Sequence, residues 1–254
     1  RTLSELAAFG ANIALARDGR SDRYALVWDY GEPYCLIPFL TGFGGWIIDD
    51  NGNPTLDTPQ MRDALAFIAD LRDKYGVIPR ADDRDTAGIM FLNRRAAMIM
   101  SGPWSWADYG VPGRSMLALL PVNTVTGLRC RPIVAAKGYC LNINTRSEKF
   151  GIVARVLAHL TSGEAQWQMA SRLFTLPTLE AVVSSPAFAR DPVLKLALEQ
   201  AKHSMPMPIT PKLRYIWDAM REPCRQILGG DLTPGEAARL MQVDAERRIA
   251  ESMP

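Results

Sequence analysis

Ala96-Ala97-Met98-Ile99-Met100-Ser101-Gly102-Pro103-Trp104-Ser105-Trp106 is the stretch on which the fold turns. Residues 96–100 are all apolar, a run of the length of a buried strand. Gly102-Pro103 ends it, because proline lacks a donor and biases the residue before it away from helix. Trp104 stands at the break, where an aromatic ring can project into a cleft. Trp106, two residues on, points the other way and is expected to pack.

Upstream, Arg23 to Tyr30 has the apolar content of a second strand, and Gly31-Glu32-Pro33-Tyr34 interrupts it. Leu36, Ile37, Phe39 and Leu40 predict a buried helix that ends at Gly42, and Gly44-Gly45 marks a turn or a close backbone approach. Residues 49–53, Asp-Asp-Asn-Gly-Asn, predict a tight turn. A helix is expected over 2–17, weakened by Gly10. Another begins at Thr58 as N-cap with Pro59 at its first position, carries Met61, Leu65, Ile68, Leu71 and Tyr75 on one stripe, and stops at Gly76. A third covers about 85–93.

Downstream, strands are expected at 115–120 and 133–144, separated by a turn-rich loop at 123–132. Helices follow over about 149–161 and 163–173, with Thr161 and Glu164 spaced as a capping box. Residues 181–188 read as irregular, and Val193 to Ala201 as a short helix. Met205-Pro206-Met207-Pro208 cannot be helical inside. Lys212 to Leu228 is a helix ended by Gly229-Gly230, and Thr233-Pro234-Gly235-Glu236 caps the last one. The whole is mixed α/β with more helix than strand.

The 254 residues carry 29 Lys plus Arg against 27 Asp plus Glu, a net charge of +2. That gives no field to gather nucleic-acid phosphates. Apolar residues at 48% with 22% charged exclude intrinsic disorder. No apolar run approaches the roughly 20 residues of a membrane span. Cys35, Cys130, Cys140 and Cys224 show no CxxC pairing, and free thiols are the expected state. Only two histidines occur, His159 and His203, so metal or imidazole chemistry has few candidates. No metal or cofactor is expected. The acidic residues at 49–50 and 82–85 read as turn and surface charge.

Three aromatics stand where the backbone is broken or near a helix end: Tyr34, Trp104 and Trp217. Each flat face matches the C–H face of a pyranose ring, leaving the hydroxyls to polar groups. Glu32 can accept from such hydroxyls and Arg221, four residues after Trp217 and on the same helix face, can donate. The competing readings are ordinary core packing for the aromatics, a solvated Glu32, and a surface cation–π pair for Trp217 and Arg221. Trp28, Trp46 and Trp167 are expected in cores. Enzyme signatures are missing: Glu32 has no partner carboxylate for glycoside hydrolysis, and neither a Gly-x-Ser-x-Gly elbow nor a phosphate loop occurs.

Glu32-Pro33-Tyr34, Gly44-Gly45, the Ala97–Trp106 phrase, Leu120-Pro121, Gly138-Tyr139, residues 160–165 and Met205-Pro206 followed by Trp217, in this order, resemble the extracellular sugar-binding proteins of bacterial ABC importers. The maltose/maltodextrin and trehalose types are the nearest in pattern, over essentially the whole chain. The resemblance implies a periplasmic-binding-protein-like, type II, two-lobed α/β fold with sugar between the lobes. It implies a non-enzymatic receptor, periplasmic or extracellular, that hands an oligosaccharide to a membrane permease. By motif, Glu32, Tyr34, Trp104, Trp217 and Arg221 would contact sugar, with Gly44 and Gly45 letting backbone approach it. Cys35 replaces an aromatic that the relatives carry, which implies a looser subsite or a smaller sugar.

By the same resemblance, residues 1–132 and 185–254 belong to the C-terminal lobe and 137–181 to part of the N-terminal lobe. The chain opens at Arg1, without Met or a signal peptide, which is the expected look of an interior start. A lobe segment of about one hundred residues is expected to be missing before it. The exposed strand edges and apolar faces of 137–181 would then need a complementary N-terminal fragment or a homodimer to cover them. A carbohydrate-active enzyme and a C-lobe scaffold that no longer binds sugar remain as rival expectations.

Overall fold

The structure, a computed structural model, describes residues 2–15, 23–80, 84–111 and 113–252. The end of the first expected helix, residues 16–17, and Asp82 and Asp83 of the acidic run lie outside the described residues. Contacts divide the chain into two compact units: residues 1–101, 120–133 and 203–254 form unit 1, and residues 102–119 and 134–202 form unit 2.

Unit 1 begins with α1 (Leu3–Leu15), β1 (Tyr24–Val27), α2 (Pro33–Gly42), α3 (Pro59–Asp73), α4 (Arg84–Leu92) and β2 (Ala96–Ile99). The two strands pair in parallel, Leu26 opposite Met98 and Val27 opposite Ile99. Parallel neighbours need a long crossover, and α2, α3 and α4 provide it. Thr58 caps α3 as expected, accepting from the Met61 N–H at 3.2 Å with Pro59 in the first turn. The turn at 49–53 closes on Asp49, whose Oδ1 accepts from the N–H groups of Asn51 and Asn53 at 2.9 and 2.7 Å. Those bonds, the Asn53 backbone bond first, hold its carboxyl below the usual range.

Unit 2 holds a 3-10 turn at Pro103–Ser105, α5 (Ser147–Leu160), α6 (Gly163–Leu173), α7 (Glu180–Val183), α8 (Pro186–Arg190) and α9 (Pro192–Lys202). Its core gathers Trp106, Ala170, Phe174, Phe188 and Leu194. Trp106 packs on Phe174 at 6.0 Å between ring centroids, as its alternation with Trp104 predicts. Gln166 is buried and bonded through both amide atoms: its Nε2 donates to the Thr161 carbonyl at 3.1 Å, and its Oε1 accepts from the N–H groups of Thr178 and Leu179 at 2.9 and 3.1 Å.

The chain crosses between the units at the short strand β3 (Ile133–Val134), which pairs with β4 (Met205–Pro206). Unit 1 is completed by α10 (Lys212–Gly229) and α11 (Pro234–Ser252). These two pack on each other and on α3, and Leu65, Leu71, Ile216, Met220 and Met241 are fully buried among them. The capping box forms at α11: the Thr233 Oγ1 accepts from the Glu236 N–H at 3.3 Å while Glu236 Oε2 accepts from the Thr233 N–H at 2.8 Å. Pro223 sits inside α10 and the helix runs through it.

Four local expectations fail. No strand forms over 115–120, where Met116 is 95% exposed and has no sheet face to bury. The strand expected over 133–144 stops at Val134, because only 133–134 meets a neighbouring strand and 135–144 has no ladder among the described residues. Thr161 terminates α5, donating to the Leu157 carbonyl at 2.9 Å, and Ser162 caps α6 by accepting from the Ala165 N–H at 3.3 Å. With two hydroxyls in a row, the first closes one helix and the second opens the next. Residues 180–190 are two short helices rather than irregular chain. Ser185-Pro186 opens the second with the same cap-plus-proline signal seen at 58–59, Ser185 Oγ accepting from Phe188 N–H at 3.2 Å.

Candidate functional site

The N-terminus of α2 is built by Glu32. Its backbone is extended, Pro33 supplies the first helical position, and its Oε1 accepts from the Tyr34 N–H at 3.3 Å. A carboxylate here satisfies one of the open N–H groups and sits at the positive end of the helix dipole. On α10, Trp217, Arg221 and Cys224 fall at i, i+4 and i+7, one face of the helix, and this helix packs on α2.

The two helices meet at Glu32. Trp217 donates its indole Nε1–H to Glu32 Oε1 at 2.9 Å. Arg221 donates from Nη1 to Glu32 Oε2 at 3.1 Å and to the Gly31 carbonyl at 3.2 Å. Asp218 lies 3.7 Å from Arg221 Nε. The Glu32 and Arg221 side chains keep 28% and 40% of their surface, so the pair is open to solvent and to a ligand. Screening at that exposure makes the ion pair itself a modest contributor to stability.

Tyr34, in the first turn of α2, is half-buried against the core. Burial, with the neighbouring Cys35 second, pushes its phenol up to about 12, so it stays a neutral donor and acceptor at any physiological pH. Cys35 and Cys224 are buried, and burial raises both thiols, that of Cys224 to about 12. Below the carboxylate, a narrow crevice lined by Trp28, Tyr30, Leu36, Leu65, Ile68 and Ile227 belongs to the core rather than to a binding surface.

Glu32, Tyr34, Trp217 and Arg221 therefore gather where α2 begins. Gly44 and Gly45 do not join them; they stand at the other end of α2, about ten residues or ~15 Å of helix away. There Gly44 adopts φ +82°, and the N–H groups of Gly44 and Gly45 donate to the Thr41 and Leu40 carbonyls, each at 3.0 Å. A Cβ on Gly45 would lie 2.4 Å from Leu40 Cδ1, so Gly45 packs closely on its own helix, while the φ of Gly44 favours glycine there. Trp104 belongs to unit 2, where it is 53% exposed and its ring folds back over Gly102. A Cβ on Gly102 would meet that ring at 2.1 Å.

The Glu32 to Trp217 bond spans 185 positions, and no local pattern announces it. Sequence reasoning also missed Asp218 and the Gly31 carbonyl, whose parts depend on the helix pairing. Among the described residues, no group of three His, Cys, Asp or Glu is placed to hold a metal ion, and no helix is long and apolar enough to cross a membrane.

Residues 1–195 match the family described as bacterial extracellular solute-binding protein. The chain belongs to that family. This solute-binding protein is similar to the maltose/maltodextrin-binding domain MalE from Bdellovibrio bacteriovorus, solved bound to maltotriose. The similarity is 34% identity at a TM-score of 0.85, over 97% of this chain and 66% of that one. It is 27% identical to the maltotriose-binding protein of Pyrococcus abyssi, over 83% of this chain and 47% of the relative. It is 22% identical to the galactooligosaccharide-binding protein of Bacillus subtilis, over 93% and 57%. The chain thus spans about half the length of the curated relatives it matches. Its fold is the two-lobed α/β fold of type II periplasmic binding proteins. The family is one of binding proteins rather than catalysts, and its described location is extracellular.

Proposed function

We propose that this solute-binding protein captures an oligosaccharide of the maltose, maltodextrin or trehalose type and delivers it to the permease of a bacterial ABC importer. The observation that carries the reading is the convergence of an indole, a carboxylate and a guanidinium at the start of α2, with Tyr34 in the first turn beside them. Trp217 and Arg221 reach it from α10 and Glu32 and Tyr34 from α2. Flat rings meet the C–H faces of the sugar, and Arg221 supplies donors for its hydroxyls. Trp104, in unit 2, is a separate candidate stacking ring in this reading. The names of the relatives, which bind maltotriose and galactooligosaccharide, support the sugar class.

Residues 1–132 and 185–254 are proposed as the C-terminal lobe and 137–181 as part of the N-terminal lobe, whereas the contacts group 102–119 and 185–202 with the latter in unit 2. The apolar exposure of unit 2 supports the expectation that further polypeptide, a complementary fragment or a second copy, covers it. Tyr139, Leu141 and Ile143 alternate along an unladdered stretch at 50%, 37% and 95% exposure, and Phe150 of α5 is 54% exposed.

Binding is favoured over hydrolysis because both Glu32 oxygens are already engaged by donors, which suits a fixed anion better than a general acid. Isothermal titration with maltotriose, maltose and trehalose tests the reading. Saturable heat without released reducing ends supports it, and hydrolysis or no heat for every sugar overturns it.

A further inference from the structure

We infer that Gly102 is a positioning residue for the Trp104 ring, seating the indole in the place where its own side chain would stand. The consequence for sugar rests on the reading above, in which Trp104 stacks on a ligand. Gly102 follows β2 and opens the 3-10 turn at Pro103–Ser105. Its φ of −104° and ψ of 177° are extended backbone, open to any residue and favoured before proline. The main chain therefore does not call for glycine here, and the ring does. A Cβ at 102 would lie 2.5 Å from Cε3 of Trp104 and closer still to Cζ3 and Cη2, three neighbouring carbons of the six-membered half of the indole. At such separations one of the two groups has to move.

The main chain is the part that stays. Ser105 is buried, and it donates to the Gly102 carbonyl from its N–H at 3.2 Å and from its Oγ at 3.0 Å. Pro103 fixes its own φ, and Trp106 is packed in the core against Phe174. With both flanks of Trp104 held, a methyl group at 102 displaces the ring about its two side-chain bonds. With glycine, the six-membered half is backed by main chain while the residue keeps 53% of its surface. An aromatic ring already ordered loses less freedom when a pyranose stacks on it. The first two residues of Gly102-Pro103-Trp104 thus have separate tasks: the glycine seats the ring, and the proline fixes the turn that carries it.

The test uses the protein labelled with 7-fluorotryptophan, whose fluorine sits on Cζ2, outside the three crowded carbons. The Trp104 resonance is assigned by its loss in Trp104→Phe. Without sugar, Gly102→Ala is expected to shift or broaden that resonance. Urea titration separates a displaced ring from a damaged backbone. Gly102→Ala is expected to lower the midpoint in the native background and to leave it unchanged in Trp104→Ala, where a Cβ meets no ring. With maltotriose, Gly102→Ala is expected to weaken binding about three- to tenfold in the native background, the scale of ordering one side chain, and less than about twofold in Trp104→Ala. An unmoved Trp104 resonance, or equal losses of midpoint or affinity in the two backgrounds, overturns the inference. Unchanged affinity with a displaced ring overturns its part in sugar binding. If maltotriose does not bind the unaltered protein, the sugar reading fails, while the resonance and the urea midpoints still decide whether Gly102 seats the ring.

Discussion

Trp217 on α10 and Glu32 at the start of α2 are joined by a 2.9 Å hydrogen bond from indole nitrogen to carboxylate. The bond ties a helix cap to a helix face, so Glu32 serves the fold at both and stands within the proposed sugar site. Removing it exposes two costs: the lost cap of α2 and the lost cross-helix bonds. Glu32→Ala is expected to lower unfolding stability by about 1–3 kcal/mol in urea titration. Glu32→Asp caps well but is too short for α10, and is expected to recover only the capping part.

Arg72 makes the equivalent closure at the far end of α10. Its Nη1 donates to the Ile227 carbonyl and, at 2.7 Å, to the Leu228 carbonyl, while its other nitrogens bond Asp73. The side chain is only 7% exposed, and it faces the negative end of the helix dipole. Arg72→Met keeps the packing but leaves these carbonyls without their donor. It is expected to cost about 1–3 kcal/mol in the same titration. Arg80, 66% exposed and 3.3 Å from the Gly229 carbonyl, is expected to cost under about 0.5 kcal/mol when changed to Ala.

The thiols divide by burial. Cys35, Cys130 and Cys224 are buried, and Cys140 is exposed. Thiolates are the reactive form, and burial raises the Cys130 and Cys224 thiols from 9.0 to about 12. Native protein at pH 8 is expected to react quickly with one equivalent of a thiol reagent, and unfolded protein with four. Fast labelling of more than one native thiol would contradict the burial pattern.

The same thiols set a pH dependence. Their folded values lie above the unfolded 9.0, so the folded state holds protons that the unfolded state releases. Their contribution is complete below about pH 9 and is lost as pH rises from 9 toward 12. Melting temperature is expected to fall across that window, and replacing Cys130 and Cys224 by Ala is expected to flatten the fall.

The elements legible in the sequence are those with local causes. Thr58-Pro59 and Thr233-Pro234-Gly235-Glu236 mark helix starts through caps that reach only three residues, and both form. The apolar runs at β1 and β2 gave strands because each is the other's neighbour. Residues 133–144 carry the same kind of pattern with no strand neighbour beyond Val134 among the described residues, and pattern alone cannot supply a ladder. The shared face of Trp217 and Arg221 was legible from their spacing of four. Their convergence on Glu32 was not, because it depends on how α10 packs against α2. Gly44-Gly45 reads equally well as ligand approach or as a helix exit, and the structure shows the helix exit.

The apolar row of unit 2 carries its own expectation. Ile143 is 95% exposed and Ile152 and Val156 of α5 are 57% and 50% exposed, the apolar surface that the proposed covering polypeptide would bury. Light scattering is expected to give a mass above the 28.1 kDa of one chain. A clean monomer with no bound polypeptide would contradict this.

Calorimetric titration of maltotriose into the unaltered protein and into Trp217→Ala tests sugar binding at the α2–α10 junction most directly. Saturable binding that weakens at least about tenfold on losing the indole is the predicted result, the scale of a lost stacking contact with its burial. Equal affinity in the two proteins would show that the α2–α10 junction is not where the sugar rests.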